Sequence, residues 1–424
     1  MPPVEIIKLQ NGGVKKVESP QGRVIRPSSG MVTPERRMAL LKFYKYLADQ
    51  GNDRLLRNFE KNPDMMKDSM VIGVLGGGGP KGLVHVGALQ ALKDYGILLD
   101  LAAATSAGSL VGTPYMGGVP PDKIRTEVER LFKGFGDGIW NILRSLDWKS
   151  FGGRLWNGLC SFNPKKFLQS FNISGAVNSG PIAATIRRLL PNKTFGDLPN
   201  LFITATTHES KKLVVFGQGY TEDFPVDEAV RASCNMPGVF SPVYVEHKKL
   251  TFLEGKRRSF VEFQRTGIPI AKLVKETIPI ESAFLYDGGS KNNIPMDLGV
   301  INYDKDKDVI LVFVLGYPGK EEGTYGPHEE EMLKKGLLKS FVGDPPPNAG
   351  GCPNILSATS GALGAAMYDQ YVNDQIQFAK ENIVIFQSRL WNIGLRDYGK
   401  FNDLYNEGYF LVDDFMKKQK GEVI

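Results

Sequence analysis

The hydrophobic residues of the chain are grouped into short apolar runs separated by segments with helical periodicity. One run of β-formers begins at Val71, another covers residues 201–206, and a third is the uninterrupted VILVFVL of residues 309–315. Between the first two, residues 83–95 keep Leu83, Val86, Leu89 and Leu92 on one side of a helix. Runs of this length are typical of buried strands, and the 3.6-residue spacing is typical of amphipathic helices. The pattern therefore predicts buried strands with helices between them.

The same criteria divide the rest of the chain. Residues 1–68 are predicted to be a leader that is poorly ordered up to residue 30, followed by a helical extension that starts at Thr33 as N-cap and Pro34 in the first turn. Residues 69–424 are predicted to form the main domain. Further strands are expected at 98–104, 212–216, 283–286 and 383–387. Further helices are expected at 227–239, where Pro237-Gly238 stops the helix, and at 358–379 and 401–417. A charged, partly hairpin-like insertion is expected at 249–281 and a mobile loop at 319–350.

Residues 114–192 combine helical signals with an unusual number of aromatic side chains. These aromatic residues are separated by glycines and include Phe132, Phe135, Trp140, Trp148, Phe151, Trp156 and Phe162. One interpretation is a cap over the active site whose outer face meets lipid. The other is that the aromatic side chains form the core of an ordinary helical layer. The sequence leaves both open.

A glycine-rich turn follows the first core strand. The apolar run that starts at Val71 leads into four glycines, Gly76 to Gly79, and a helix begins near Leu83. Glycine lets the backbone approach a ligand closely and leaves its N–H groups accessible. The positive end of the helix dipole points at the same place. The turn is therefore expected to bind negative charge, either a phosphate or an oxyanion formed during a reaction.

The next strand ends in a candidate nucleophile. Residues 98–104 are mostly apolar and are followed by Thr105-Ser106-Ala107-Gly108. The pattern of small residue, any residue, Ser, any residue, Gly between a strand and a helix is typical of the nucleophile elbow, which exposes the serine oxygen at the top of a sheet. An exposed serine beside an anion-binding turn indicates acyl transfer.

The base for this serine is less obvious. The chain has four histidines, His85, His208, His247 and His328, and only His328 follows Asp287, which precedes Gly288 and Gly289. A Ser106–Asp287–His328 triad is one hypothesis. The alternative is that the Asp287 carboxylate takes the serine proton directly, since the two glycines let its turn approach the serine and a dry pocket strengthens a carboxylate base.

Five motifs in order resemble those of the patatin-like phospholipase family, from about Ser69 to the last helix. They are Gly77-Gly78-Gly79-Pro80-Lys81-Gly82, Ala104-Thr105-Ser106-Ala107-Gly108, Thr194-Phe195-Gly196-Asp197-Leu198-Pro199, residues 229–240 (AVRASCNMPGVF) and Asp287-Gly288-Gly289 with Asn292-Asn293-Ile294-Pro295. The resemblance implies an α/β three-layer sandwich with a mostly parallel central sheet flanked by helices. Residues 1–68 and 249–281 have no counterpart in it.

The resemblance also implies a phospholipase A (PLA1 or PLA2 type) with a Ser–Asp dyad. We expect this enzyme to be metal-independent, because no cluster of His, Asp and Cys with ligand spacing appears in the sequence. Ser106 would be the nucleophile and Asp287 the base. The oxyanion hole would be formed by the backbone amides of Gly77, Gly78 and Gly79. Lys81 stands where the family has a basic residue, and Gly82, Gly108, Gly288 and Gly289 would support the turns. Ala104 departs from the family, which has glycine there, and its methyl group is expected to shift the elbow slightly.

Two other classes of protein remain as alternatives. Gly77, Gly79 and Gly82 fit a dinucleotide fingerprint, and Asp100 lies about 20 residues further on, where a ribose-binding acid is expected. A Walker loop is excluded because Gly82, and not Ser or Thr, follows Lys81. A catalytically inactive lipid-binding module is the second alternative.

Net charge, apolar runs and cysteine content indicate the partners and the location to expect. The chain of 424 residues carries a net charge of +6. Residues 1–68 hold 13 Lys and Arg against 8 Asp and Glu, a net charge of +5 that is either solvated surface or a contact for anionic lipid or nucleic acid. No run reaches the ~20 apolar residues of a membrane span, and the N-terminus lacks a secretory pattern. Three scattered cysteines suggest no disulfide framework and no metal site. We expect no cofactor, a phospholipid surface as partner, an activating protein as a further candidate partner, no nucleic acid, and a cytoplasmic, peripherally membrane-associated or translocated protein.

Overall fold

The computed structural model describes residues 5–8, 14–17, 21–26, 32–145, 178–237, 239–257, 270–315, 378, 380–388, 390 and 398–419. The sequence expectations for residues 146–177, for the loop at 319–350 and for the helix at 358–379 lie outside these residues, apart from Phe378.

An eight-stranded sheet organises the described part of the chain. Five of its strands run parallel in the order β10-β9-β3-β4-β5, and β6, β7 and β8 continue it in antiparallel pairing. A separate antiparallel pair is formed by β1 and β2. The strands are β1 Glu5–Lys8, β2 Val14–Val17, β3 Val71–Leu75, β4 Leu101–Thr105, β5 Leu201–Thr207, β6 Leu213–Phe216, β7 Val243–Arg257, β8 Ile270–Asp287, β9 Val309–Leu315 and β10 Ile383–Ser388.

Strand β8 also pairs with β5, along the same edge of β5 that pairs with β4. The last residue of β4, Thr105, pairs with Thr204, and the next residue of β5, Ala205, pairs with Asp287 at the end of β8. The parallel β4 and the antiparallel β8 therefore meet end to end along one edge of β5. The residues that follow β4 and end β8 are brought together by this pairing.

Alternate strand residues belong to two separate hydrophobic clusters, to which different helices contribute side chains. In β3, for example, Val71 and Leu75 belong to one cluster and Ile72 and Val74 to the other, as expected for strands whose side chains alternate between faces. The helices are α1 Pro34–Asp49, α2 Arg54–Lys61, α3 Leu83–Asp94, α4 Ala107–Met116, α5 Pro121–Ser145, α6 Gly180–Leu189, α7 Val226–Ser233, α8 Met296–Ile301 and α9 Phe401–Lys418.

The expectation of a poorly ordered leader is wrong for residues 21–26, which are bound to the main body. The Arg26 guanidinium donates two hydrogen bonds of 2.9 Å to the carboxylate of Asp308, which is fully buried. One residue earlier, Ile25 exchanges two backbone hydrogen bonds with the side chain of Asn200. Composition missed this because the contacts join residues far apart in the chain. Thr33, in contrast, caps α1 as predicted, since its hydroxyl accepts from the Arg36 N–H.

Two further expectations concern helices. The helix expected at 227–239 ends at Ser233, because a proline at 237 lacks an N–H and forces the residue before it out of the α conformation. In α5, Phe132 and Phe135 are each 6% exposed, so these two aromatic residues belong to the core of a helical layer. The side chains of Trp140 and of the later aromatic residues in that region lie outside the described residues.

Candidate active site

Ser106 occupies the sharp turn between β4 and α4. Its φ of 51° and ψ of −123° place it in a region that residues other than glycine rarely adopt. The turn is tight because α4 lies directly against the end of β3: a Cβ at Gly108 would lie 2.0 Å from the Leu75 carbonyl oxygen. The Ala104 methyl group is accommodated opposite Gly112, where an added Cβ would lie 3.7 Å from it. The elbow expected from the sequence is thus formed with alanine at its first position.

The structure brings Ser106 and Asp287 into direct contact. The Ser106 hydroxyl donates a hydrogen bond of 2.7 Å to Oδ2 of Asp287, across 181 positions of sequence. The contact follows from the sheet, since Ser106 comes after the end of β4 and Asp287 ends β8 on the same edge of β5. A hydroxyl and a carboxylate at this distance can exchange a proton.

Burial determines the protonation behaviour of Asp287. The residue is 6% exposed, and burial raises the pKa of its carboxyl group to about 7, while hydrogen bonds from Ser106 and from the Gly289 N–H act to lower it. Gly288 has no room for a side chain, since a Cβ there would lie 2.3 Å from the Thr204 hydroxyl. The two glycines therefore let the turn fold back onto its own carboxylate and onto β5.

The glycine turn lies beside Ser106, but its amides are not equivalent. The Gly77 N–H donates to the Asn293 carbonyl at 3.0 Å, so the expectation that Gly77 supplies an oxyanion donor needs correction in this structure. Among the described residues, the N–H groups of Gly78 and Gly79 donate to no backbone carbonyl. A Cβ at Gly77 would lie 3.0 Å from that of Ser106, so the turn and the serine are neighbours. Gly78 and Gly79 are thus placed to provide amide donors.

Two basic side chains hold positions around this turn. Lys81 is buried, and burial lowers the pKa of its amine to about 8. Next to it, a Cβ at Gly82 would lie 3.0 Å from that of Ala107, so the start of α3 packs against the elbow. His85 is fully buried in α3, its Nε2 lies 2.8 Å from the Gly76 carbonyl oxygen, and burial lowers the pKa of its imidazole to about 4. A neutral His85 therefore donates to the first glycine of the turn, a contact that sequence reasoning missed.

None of the described histidines contacts the dyad. His85 contacts the Gly76 carbonyl, the His208 ring packs against Tyr286, and His247 lies in β7 with a φ of 47°. His328, the member of the alternative triad, lies outside the described residues.

Three consecutive residues at the end of α7 also contact the dyad, and sequence reasoning gave them no role. Ser233 Oγ accepts a hydrogen bond from the Ser106 N–H, Cys234 Sγ donates to the Ser106 carbonyl, and the Asn235 carbonyl accepts from the Asp287 N–H. The motif at residues 229–240 was the available signal, but a motif alone does not reveal which atoms it contacts.

Asp100 lies at the opposite end of β3 from the glycine turn, which contradicts the hypothesis of a dinucleotide-binding site. Its carboxylate accepts hydrogen bonds from the Val71 N–H and from Arg36, so it lies at the amino end of β3. The glycine turn follows the carboxyl end of the same strand, after Leu75. Asp100 therefore cannot reach a ribose bound at that turn.

Within the described residues, no group of three or more His, Cys, Asp or Glu side chains is arranged to hold a metal ion. Among the helices that the structure describes, none has the length and apolar character required to cross a bilayer.

Comparison with protein-family models matches residues 73–299 to the model described as patatin-like phospholipase. The chain is 40% identical over 75 residues to lysophospholipase NTE1 of Saccharomyces cerevisiae, which covers 18% of this chain and 4% of that protein. It is 29% identical over 283 residues to the uncharacterized protein YqhO of Bacillus subtilis, which covers 63% of this chain and 76% of YqhO. The chain thus spans only a small part of the NTE1 relatives.

Among solved structures, VipD of Legionella pneumophila aligns over 83% of this chain and 67% of its own, with 13% identity and a TM-score of 0.35. A chain of the SpcU–ExoU complex of Pseudomonas aeruginosa aligns over 73% of this chain and 53% of its own, with 18% identity and a TM-score of 0.24. Both TM-scores are below 0.5, so neither alignment bears on function.

Proposed function

The chain belongs to the patatin-like phospholipase family, and we propose that it is a phospholipase A that hydrolyses fatty acyl esters of phospholipids through an acyl-Ser106 intermediate. The single observation that carries the proposal is the 2.7 Å hydrogen bond from the Ser106 hydroxyl to the buried carboxylate of Asp287. A serine that donates to a carboxylate can lose its proton as it attacks, and the strained elbow exposes its oxygen.

In the proposed reaction, Ser106 Oγ attacks the ester carbonyl carbon while its proton passes to Asp287 Oδ2. The negative charge that develops on the carbonyl oxygen is stabilised by the N–H groups of Gly78 and Gly79, with Gly77 holding the turn in place through its bond to Asn293. The tetrahedral intermediate collapses, the ester C–O bond breaks, and Asp287 returns its proton to the departing alcohol, leaving the acyl-serine.

Hydrolysis of the acyl-enzyme repeats these steps with water. Asp287 takes a proton from the water, the hydroxide equivalent adds to the acyl carbon, and the fatty acid leaves as Ser106 recovers its proton. Every step uses only groups of this chain, the ester and water, so the proposed reaction needs no metal ion. A pKa of about 7 suits Asp287 to this role, because a base with a pKa near the working pH both accepts and returns a proton readily.

Three wider statements belong to the same proposal. The architecture is a three-layer sandwich with a helical N-terminal extension at residues 1–68 and the catalytic domain at residues 69–424. The substrate is met at a phospholipid surface, since long-chain phospholipids assemble into bilayers. An activating protein partner is compatible with this arrangement, and adding a lysate fraction to the assay below would reveal one by a gain in rate.

The test combines lipid mass spectrometry with active-site labelling. Wild-type protein incubated with mixed phospholipid vesicles should release fatty acid and lysophospholipid, and a fluorophosphonate probe should label Ser106. Ser106→Ala and Asp287→Asn should each lower turnover by at least ~10³-fold, because each removes a group that acts only in the reaction. His328→Ala should keep most of the activity. Loss of activity in His328→Ala would instead support the Ser106–Asp287–His328 triad. Wild-type protein that binds vesicles but neither hydrolyses them nor reacts with the probe would be an inactive lipid-binding module.

A further inference from the structure

The backbone of Ser106 requires support from outside the elbow. A residue other than glycine at a φ of 51° and a ψ of −123° is strained, and such a conformation persists only where surrounding contacts hold it. Two residues of α4 hold its carbonyl, since the Ser109 N–H and the Leu110 N–H both donate to the Ser106 carbonyl oxygen. The N–H of Ser106 takes no part in these bonds and needs an acceptor of its own.

The turn that ends α7 supplies this acceptor. Ser233 is fully buried, and its Oγ accepts the Ser106 N–H at 2.8 Å. The following residue, Cys234, donates its thiol to the Ser106 carbonyl at 3.2 Å. The backbone is therefore held on both sides of Ser106 by neighbouring side chains of one turn.

The same turn also holds the other half of the dyad. The Asn235 carbonyl accepts the Asp287 N–H at 2.9 Å, and the Asn235 side chain donates to the Ser241 carbonyl at 2.6 Å, which fixes the turn itself. Ser233, Cys234 and Asn235 thus connect Ser106, which follows β4, with Asp287, which ends β8. A shift of this turn would move Ser106 and Asp287 relative to each other.

The contacts differ in how replaceable they are. The Ser106 carbonyl accepts from Ser109 N–H, Leu110 N–H, the Ser109 hydroxyl and the Cys234 thiol, so it has several donors. Among the described residues, its N–H donates to Ser233 alone. A partly buried N–H that loses its one acceptor is costly, whereas a carbonyl with several donors tolerates the loss of one. Ser233 is therefore the residue of the turn on which the elbow depends most.

We propose that Ser233 is a positioning residue for the acyl-transfer reaction, and that residues 233–235 form a clamp that sets the geometry of the Ser106–Asp287 dyad. The kinetic part of this inference rests on the proposed function, since it requires Ser106 to be the nucleophile. The structural part concerns the backbone of Ser106 and does not depend on the reaction.

The test compares alanine variants of two buried serines, each of which loses its side-chain hydroxyl. Ser233→Ala removes the acceptor at the elbow, whereas Ser69→Ala removes a buried hydroxyl that donates to the Met65 carbonyl at the opposite edge of the sheet. For Ser233→Ala we expect kcat, and the rate of fluorophosphonate labelling of Ser106, to fall about 10- to 100-fold with KM within about twofold, because a small misplacement of a nucleophile slows the chemical step. The pH midpoint of the remaining activity should rise, because an Oγ that moves away from Asp287 no longer lowers the pKa of that carboxyl group. Ser69→Ala should keep wild-type kinetics.

A crystal structure of Ser233→Ala separates the two proposals. We expect Ser106 to leave its positive φ there and Oγ to move away from Asp287. Ser106 unchanged in that structure, or a kcat of Ser233→Ala equal to that of Ser69→Ala, would overturn the clamp. If the wild-type protein shows no hydrolysis and no labelling but Ser106 still moves in Ser233→Ala, the proposed function fails and the clamp stands.

A second variant covers the case in which Ser233→Ala does not fold. Ser233→Cys keeps a side chain of similar size with a weaker acceptor. We expect its kcat to fall about 3- to 10-fold with a melting temperature close to that of Ser69→Ala. Wild-type kcat in Ser233→Cys together with an unmoved Ser106 would contradict the inference.

Discussion

At Asp287, burial and hydrogen bonding act on the pKa in opposite directions. Burial raises the pKa to about 7, and the hydrogen bonds from the Ser106 hydroxyl and the Gly289 N–H limit the rise. The carboxyl group is therefore partly protonated at neutral pH, and only its ionised form can accept the proton of Ser106. Activity and stability should both depend on pH for this reason.

The pH dependence of the rate follows from this ionisation. We expect kcat/KM on a soluble ester to rise with pH, to reach half its maximum near pH 7 and to level off about one unit higher, because the deprotonated carboxylate is the proposed base. His328→Ala should leave the midpoint in place, which separates Asp287 from a histidine base. A rate that falls between pH 6 and pH 8 would contradict the assignment.

The same group should make the fold less stable at high pH. Its folded pKa of about 7 lies above the ordinary value of 3.8 for an aspartic acid, so its contribution to the free energy of unfolding decreases as pH rises from about 4 to about 7. We expect Asp287→Asn to raise the free energy of unfolding by about 1–3 kcal/mol at pH 8 and to change it little at pH 4. Urea unfolding at the two pH values measures this. Asp53→Asn, at an exposed carboxylate, serves as control, and equal stability of Asp287→Asn and wild type at pH 8 would contradict the expectation.

Between elements, the closest approach that shapes the site is that of α4 to β3. Gly108 lies at this crossing, where the backbone of the helix touches the Leu75 carbonyl, and the elbow can only be formed if no side chain separates them. Gly134 in α5 offers the opposite situation, because an added Cβ there would meet nothing within 4 Å.

The two glycines should respond in opposite directions to the same substitution. Gly108→Ala should lower the free energy of unfolding by about 3 kcal/mol or more and abolish hydrolysis, because a Cβ 2.0 Å from a carbonyl oxygen forces the backbone apart. Gly134→Ala should raise the free energy of unfolding by about 0.5–1 kcal/mol at unchanged activity, because alanine favours a helix interior. Chemical unfolding and the vesicle assay measure both, and an active, stable Gly108→Ala would show that the elbow is looser than the structure indicates.

How much could be predicted from the sequence differs between elements. The parallel strands were accessible because strands buried on both faces, such as 71–75 and 309–315, are apolar at every position. The docking of β8 onto β5 was not, because the pairing of Ala205 with Asp287 is long-range and much of the hairpin is charged. The motifs identified Ser106 and Asp287 as candidates. That Gly77 donates to Asn293 depends on backbone orientation, which no residue pattern reports.

At the scale of the whole molecule, residues 21–26 fasten the start of the chain to the edge of the sheet opposite the dyad. The Asp308 carboxylate there accepts from Arg26 and from the backbone N–H groups of Met70 and Asp304. Because Asp308 is fully buried, removal of Arg26 leaves part of a buried charge without its partner.

This attachment should contribute measurably to stability. Arg26→Met should lower the free energy of unfolding by about 1–3 kcal/mol with little dependence on salt, because a charge-assisted bond to a buried carboxylate is lost. Arg57→Met, at the exposed pair with Asp53, should change it by less than about 0.5 kcal/mol. Thermal melts at two salt concentrations distinguish the two variants, and equal effects would show that the start of the chain is dispensable.

The end-to-end meeting of β4 and β8 on one edge of β5 has a consequence for how such a protein can diversify. The distance between the two proposed reacting groups is set by two adjacent residues of β5, Thr204, which pairs with β4, and Ala205, which pairs with β8. It is not set by the 181 positions of chain between Ser106 and Asp287. Insertion of loops between Ser106 and Asp287, or removal of residue pairs from the β7–β8 hairpin, would leave the pairing of β4 and β8 with β5 unchanged. The surface around the dyad is therefore free to be rebuilt for new substrates while the reacting atoms stay where they are.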